Sequence, residues 1–189
     1  QMLRGNFWNT SGNVTGIRQD TVSRSYAELS GSYEGDGFRD TWQAPRGRST
    51  GASTASIQNL EKMSLKGSFA FTQTEGYDMC GSMFIKPGFY PVDVLEFTPG
   101  RKTLQTYAFD GGISYDLTKV WRIGAKMDFE SANMAKRKDL RHSNWRLDMT
   151  MAPGFMYHAG DLALGANYLF RKTSETVEAE QVGTAASSY

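Results

Sequence analysis

The sequence predicts an all-β chain: an antiparallel up-and-down transmembrane β-barrel, about seven strands visible, forming part of a larger barrel. Three observations predict it. Within Trp121–Glu130, the residues Trp121, Ile123, Ala125, Met127 and Phe129 fall on one side of an extended strand. Arg122, Gly124, Lys126, Asp128 and Glu130 fall on the other, because successive strand side chains point to opposite faces. The same alternation recurs along the chain. The connections between the alternating runs go long, short, long, short, long, short, the asymmetry of a membrane barrel with short periplasmic turns and long outer loops.

Bulk properties agree with this class. A chain of 189 residues is long enough for one domain. Its net charge of +1 gives no bulk field toward nucleic acid. A mean hydropathy of -0.50 and no run of about 18 apolar residues exclude a transmembrane helix. Neither excludes membrane strands, which are half apolar. The single cysteine, Cys80, rules out an internal disulfide or a cysteine-based metal cluster. The start at Gln1 shows no signal peptide, as expected of a mature or trimmed chain.

Residues 1–23 hold no strand period and read as a lead-in that tucks into or against the barrel. Asn9 and Asn13 match the weak N-glycosylation pattern. Residues 24–172 carry the strands. Ala27, Leu29, Gly31 and Tyr33 oppose Glu28, Ser30, Ser32 and Glu34, and a loop follows to about Ser49. Ala55 and Ile57 oppose Thr54, Ser56 and Gln58. A tight connection then leads to Leu65, Gly67, Phe69 and Phe71, so these two runs read as a hairpin. Residues 74–103 read as a long loop holding Cys80, three of the five prolines and an aromatic cluster.

The next strand has Tyr107, Phe109, Gly111, Ile113 and Tyr115 against Thr106, Ala108, Asp110, Ser114 and Asp116, and turns at Thr118 into the Trp121 strand. A basic loop is expected from Ser131 to about Ser143. Trp145, Leu147, Met149 and Met151 then oppose Arg146, Asp148 and Thr150. Pro153, which lacks a ladder donor, predicts a bulge or early strand end. After a turn at His158–Asp161, a last strand of Leu162, Leu164, Ala166, Tyr168 and Phe170 ends at Arg171. Residues 173–189 read as a polar outer loop or truncated end.

Two aromatic girdles support the membrane form: Tyr115, Trp121 and Tyr157 at the short-turn ends, and Tyr33, Phe71, Phe129 and Phe170 at the long-loop ends. A soluble barrel would turn the same apolar faces inward. Gly31, Gly67, Gly111 and Ala125 on those faces would pack such a core poorly, whereas lipid chains fill gaps. Seven strands leave open edges, and an open edge in lipid strands backbone groups at several kcal/mol each. Further strands are therefore expected, and Leu162–Arg171, long and fully alternating, is expected to pair on both sides.

Several stretches carry a resemblance. Trp8–Ile17 followed by Ser25–Leu29, Gly67–Thr72, the loop around Phe89–Pro91 and Ala152–Phe155 resemble an outer-membrane β-barrel family of uncharacterised function from Bacteroidota. Gly12–Ile17 is more loosely similar to the lead-in of long-chain fatty-acid transporter barrels, with Val14 and Thr15 in place of Pro and Ala. The resemblance implies a barrel at the outer membrane of a Gram-negative bacterium, and no catalytic residues.

Chemistry in the residues themselves is sparse. His142 and His158 read as surface histidines without metal-ligand spacing, Cys80 as an inert loop cysteine, and Asp36 and Asp40 as a solvated turn. No catalytic, cofactor or metal residues are expected. The lumen wall is assigned to Asp110, Asp116, Arg122, Lys126, Asp128, Glu130, Arg146, Asp148 and Arg171, whose mixed charges serve either as cross-strand ion pairs or as a polar path. The lipid face is assigned to Phe109, Ile113, Trp121, Ile123, Met127, Phe129, Trp145, Leu147, Met149 and Leu164. Expected partners are outer-membrane lipid and other outer-membrane proteins or further strands of the same barrel, with no nucleic acid. Three functions fit: a barrel that passes or binds a small solute, a non-transporting accessory or scaffold subunit, and a soluble β-barrel binding module.

Overall fold

The computed structural model describes residues 13–19, 22–35, 37 and 43–181. A 3₁₀ helix, Val14–Gln19, precedes eight strands. These are β1 (Arg24–Gly35), β2 (Arg46–Asn59), β3 (Met63–Ser82), β4 (Leu95–Asp116), β5 (Trp121–Lys136), β6 (Arg141–Ala159), β7 (Leu162–Asn167) and β8 (Phe170–Glu180). Every pairing is antiparallel, and β1 to β7 lie in sequence order. β8 pairs the Arg141–Met151 half of β6, on the side where β7 pairs the Gly154–Ala159 half. The sheet is an up-and-down meander and does not close. Among the described residues, β1 and the β7/β8 side are its two free edges.

The period-2 pattern located the strands but cut them short. The segment expected to be a loop over 74–103 is strand to Ser82 and again from Leu95, leaving residues 83–94 as the connection. The expected loop after Glu130 is likewise strand to Lys136 and from Arg141. In these extensions the outward face turns polar, at Gln73, Gln105, Asn133 and Ser143, and the apolar stripe that marked the strands is lost. The single last strand divides at Tyr168 and Leu169, so the count is eight rather than seven. The segment from Lys172, expected to be a polar loop, is strand β8 through Glu180.

Pro153 neither bulges nor ends β6, since its pairing to β5 is continuous, with Ala125 opposite Pro153. Its carbonyl accepts from the Tyr168 amide at 2.9 Å. The polar side of its backbone therefore faces the β7–β8 division, where a missing donor costs no ladder bond.

Register sorts the side chains into rows. On one face run Met63–Tyr115–Ile123–Phe155, then Leu65–Ile113–Ala125, Gly67–Gly111–Met127–Met151–Phe170, Phe69–Phe109–Phe129–Met149 and Phe71–Tyr107–Ser131–Leu147. Beyond these rows the same face turns polar, with Gln73–Gln105–Asn133–Trp145 and Glu75–Thr103–Ala135–Ser143. Leu29, Phe109, Ile123, Phe155 and Leu164 are all exposed on this face. We call it the outward face. Phe129 and Phe170 lie at mid-height of the apolar rows rather than at the long-loop ends. The upper aromatic contact is instead Phe71 with Tyr107, 5.0 Å apart. At the lower end Trp121 packs on Tyr157 at 5.1 Å.

The opposite, inner face is where side chains are buried. Ile57 of β2 joins Val14 and Ile17 of the 3₁₀ helix in one buried cluster. Asn13 Nδ2 donates to Phe155 O at 3.0 Å and to Ala166 O of β7 at 3.3 Å. On a flat sheet, five strand spacings from β2 to β7 would measure about 24 Å, whereas six 3₁₀ residues rise only about 12 Å. The sheet therefore curls around the helix. Its floor there is made of glycines: a Cβ at Gly112 would lie 2.6 Å from Val14 Cγ2, and one at Gly124 would lie 2.7 Å from Val14 Cγ1. The expected tucking of the lead-in is thus seen for Asn13–Arg18, while residues 1–12 lie outside the described residues.

Candidate functional site: the inner face of the curled sheet

The inner face is charged from one end to the other, and alternation places it there. Asp110, Asp116, Arg122, Lys126, Asp128, Glu130, Arg146, Asp148 and Arg171 all lie on it by register. The ten residues assigned to the lipid face all lie on the outward face. Periodicity and register thus sort these named residues to the same two faces, while 131–143, expected to be a loop, lay outside the periodic reading.

Three levels of the inner face differ. At the short-turn end Arg18 donates to Asp116 at 2.6 Å and to the carbonyls of Leu60 and Glu61 at 2.7 and 2.8 Å. Arg122 donates to the other Asp116 oxygen at 2.7 Å. These bonds clamp the 3₁₀ helix across the end of the curl.

The middle level holds Lys66, Asp110, Lys126 and Asp128. Lys66 meets Asp110 at 2.9 Å, and Lys126 meets Asp110 at 3.3 Å and Asp128 at 3.0 Å. All four keep part of their side chains exposed, so this level is open between the fillings above and below.

At the third level the 83–94 connection folds down onto the inner face. The amide of Ile85 donates to Glu175 at 2.7 Å, and Asn144 donates to Met83 O at 2.6 Å. Lys86 reaches Glu130 at 2.9 Å and Asp148 at 3.2 Å. Arg146 is the hub, 2% exposed. It donates to Asp148 at 2.9 Å and to Glu175 at 3.2 Å, and lies 4.3 Å from the Phe89 ring centre. Its Nη2 lies 2.9 Å from Asp148 without a well-aligned hydrogen bond, so the buried charge is held mainly through Nε, Nη1 and the ring, as charge away from water requires. Beside this connection a cleft of about 690 Å³ opens along β1–β4, lined by Ser49, Thr74, Lys102, Phe84 and Ile85 among others.

Sequence reasoning missed the buried group above the hub. Glu96, Lys102 and Lys136 are each no more than 3% exposed. Lys102 meets Glu96 at 3.1 Å and donates to Ser82 O at 2.9 Å, and Lys136 pairs with the other oxygen of Glu96. Burial pushes the Glu96 carboxyl up, but the two ammoniums outweigh it and hold it below the ordinary range. Burial pulls Lys102 down, against the pull of Glu96.

His142, expected on the surface, is 3% exposed on the same row as Lys102 and Lys136. Its Nδ1 donates to Asn144 at 2.8 Å. Burial depresses its basicity, only partly offset by that bond. His158, in contrast, is exposed. Cys80 lies in β3, half-buried, rather than in a loop. Asp36 and Asp40 lie outside the described residues. The signal for the missed group was the continued alternation of Ala132, Met134 and Lys136 and of His142, Asn144 and Arg146.

Among the described residues no group of three or more acidic, His or Cys side chains is placed to hold a metal ion. No curated protein and no solved structure matches the chain. Residues 14–188 match a family of unknown function, DUF6850. This match starts at the 3₁₀ helix that the glycine floor receives and runs through all eight strands, and the chain belongs to that family.

Proposed function

We propose that this chain forms the wall of an outer-membrane β-barrel that passes or binds a small solute on its charged inner face. The observation that carries the reading is the height of the apolar band on the outward face. From Trp121 to Ser131 that face is apolar across β3–β6, and above it the same face turns to Gln, Asn, Thr and Arg. Ten residues extend about 34 Å along a strand. At the tilt of about 35–45° typical of membrane strands, they cover about 24–28 Å of bilayer, the thickness of a barrel's lipid belt. The strands then continue well beyond the ~9–11 residues needed to cross. Free sheet edges in lipid are costly, so the reading includes further strands that close the barrel. A soluble module would need an apolar interior, and here the interior carries the charge.

The partly open middle level, Lys66, Asp110, Lys126 and Asp128, supplies the polar lining for the solute. A second reading, an accessory or scaffold subunit without transport, is favoured by the inner face being filled at both ends, by the 3₁₀ helix and by residues 83–94.

Spin labels test the orientation. Labels at Ile123 and Leu147 should be reached by oxygen, and labels at Lys126 and Asp110 by a polar relaxer. Equal access of the polar reagent to both sets would end the membrane reading. With orientation settled, solute flux in vesicles that rises when Lys86, Phe89 and Tyr90 are replaced by glycine would favour passage. Flux absent in both forms would favour the accessory role.

A further inference from the structure

We propose that a groove on the outward face, just above the apolar band, seats the phosphate of a lipid headgroup. The inference rests on the membrane reading and adds to it a specific lipid contact. The groove, about 500 Å³, is lined by Glu75, Arg101, Gln105, Asn133, Arg137 and Trp145, among others. Its lower lip is the row Gln73–Gln105–Asn133–Trp145, the first polar row above Phe71–Tyr107–Ser131–Leu147.

The charges there are arranged for an external anion. Arg48 and Arg101 share one carboxylate: Glu75 accepts from Arg48 at 2.8 Å and from Arg101 at 2.6 Å. The Arg101 hydrogen bond, ahead of opposing burial and a weaker bond from Arg48, holds Glu75 below the usual carboxylate range, so it stays charged. Two guanidiniums on one carboxylate leave a surplus positive charge and unused N–H groups, since each guanidinium carries five. Both arginines are more than half exposed.

Arg137 lines the same groove, is exposed, and makes no ion pair among the described residues. Nearby Arg46 is matched by Asp78 at 3.6 Å and stacks over the Tyr77 ring that Arg101 also covers. The carboxylate that counts against the site is Glu178, opposite Ser143 on the far wall.

Height decides the kind of anion. Because Arg101 folds back to Glu75, its charge sits about two rows above Phe71–Tyr107. That is about 10 Å along the membrane normal at the usual rise and tilt, where headgroups lie. Trp145 at the lip presents an apolar body to the chains and an N–H to the polar zone. A phosphate there meets guanidinium forks suited to it, while its acyl chains lie along the apolar rows beneath.

The test uses the intact chain in an uncharged detergent, with a bis-phosphorylated, multiply acylated disaccharide lipid as probe and native mass spectrometry as readout. We expect retained lipid, and roughly tenfold weaker retention of the same lipid without phosphates. Arg137→Gln touches no bond that holds the fold and should lower retention severalfold, Arg101→Gln/Arg137→Gln should lower it further, and Lys119→Gln at the opposite end of the sheet should leave it unchanged. Equal binding of the dephosphorylated lipid, equal binding by the double variant, or an equal loss in Lys119→Gln would overturn the proposal. Competition by excess inorganic phosphate alone would mark a free-phosphate site and overturn it as a lipid seat. Flotation with phosphatidylcholine vesicles separates the two readings. A chain that inserts but shows no phosphate preference refutes the seat alone, and a chain that never inserts refutes the membrane reading together with the seat.

Discussion

Glu96→Gln should be among the most damaging isosteric changes in the chain. Glu96, Lys102 and Lys136 are buried together, and among the described residues the glutamate is the one carboxylate the two lysines are paired with. With it the group carries one net positive charge. With glutamine it carries two, with no countercharge beside them and only neutral acceptors, the carbonyls of Ser82 and Thr98 and the amide oxygen. Removing one partner of a buried ion pair costs about 3–5 kcal/mol. Lys102 borders the inner cleft, so water can approach, and the cost should fall at the lower end, about 3 kcal/mol.

Lys102→Met is the contrast. It leaves one lysine on one glutamate and loses mainly the bond to Ser82 O, for about 1 kcal/mol. The pH sign follows from the lowered carboxyl. Its contribution is present above the unfolded value of about 4.3 and is lost as pH falls through the folded one. The gap between wild type and Glu96→Gln should therefore be full at neutral pH and close below about pH 4. Urea unfolding of the refolded protein in detergent, followed by tryptophan fluorescence, measures all three chains. Lys102→Met costing as much as Glu96→Gln, or a gap that does not change with pH, would refute the reasoning.

Met127→Arg puts a charge midway up the apolar rows and should cost roughly 2–4 kcal/mol on folding into vesicles. Asp128→Asn on the inner face should cost much less, and the reverse ranking would contradict the register. His142 is depressed by burial, so the unfolded imidazole takes up a proton first. Stability should be level above about pH 6.5 and decline below it. A urea midpoint series checks this, and His142→Phe should lack the slope. Gly124→Ala brings a Cβ within 2.6 Å of Ile113 O and 2.7 Å of Val14 Cγ1. It should cost about 1–3 kcal/mol in thermal unfolding, whereas Gly31→Ala, with its nearest neighbour at 4.0 Å, should change stability by less than about 0.5 kcal/mol.

The sequence-level reading succeeded where one face was apolar throughout. Phe109, Ile123, Leu147 and their neighbours alternate with charges so regularly that the two faces followed directly, whereas the cross-strand register came from the structure. It failed where the outward face turns polar. At Gln73 and Ser143 both faces of the strand are hydrophilic, and at Gln105 and Asn133 the apolar residues Leu104, Ala132 and Met134 change to the inner face, so the one-face pattern breaks although the backbone is still paired. His142 and Lys136 then looked like loop residues in water. Their burial depends on residues 83–94 folding across from β3 and β4, a contact that no local pattern encodes. The clamp formed by Arg18 was invisible for the same reason, since its acceptors lie 42, 43 and 98 positions away.

The seating of the 3₁₀ helix has a consequence for the order in which the molecule forms. Asn13 donates to Phe155 and Ala166, 142 and 153 positions further on. The earliest described residues thus find their acceptors only after β6 and β7 exist. Strands can zip neighbour to neighbour as hairpins, and Val14, Ile17 and Arg18 can seat once β2–β5 are paired, but the Asn13 bonds must wait until nearly the whole sheet has assembled. Contacts of such separation are slow to form, because loop closure precedes any reward. Bonding of Asn13 is therefore a last step, one that locks a finished curl rather than nucleating it.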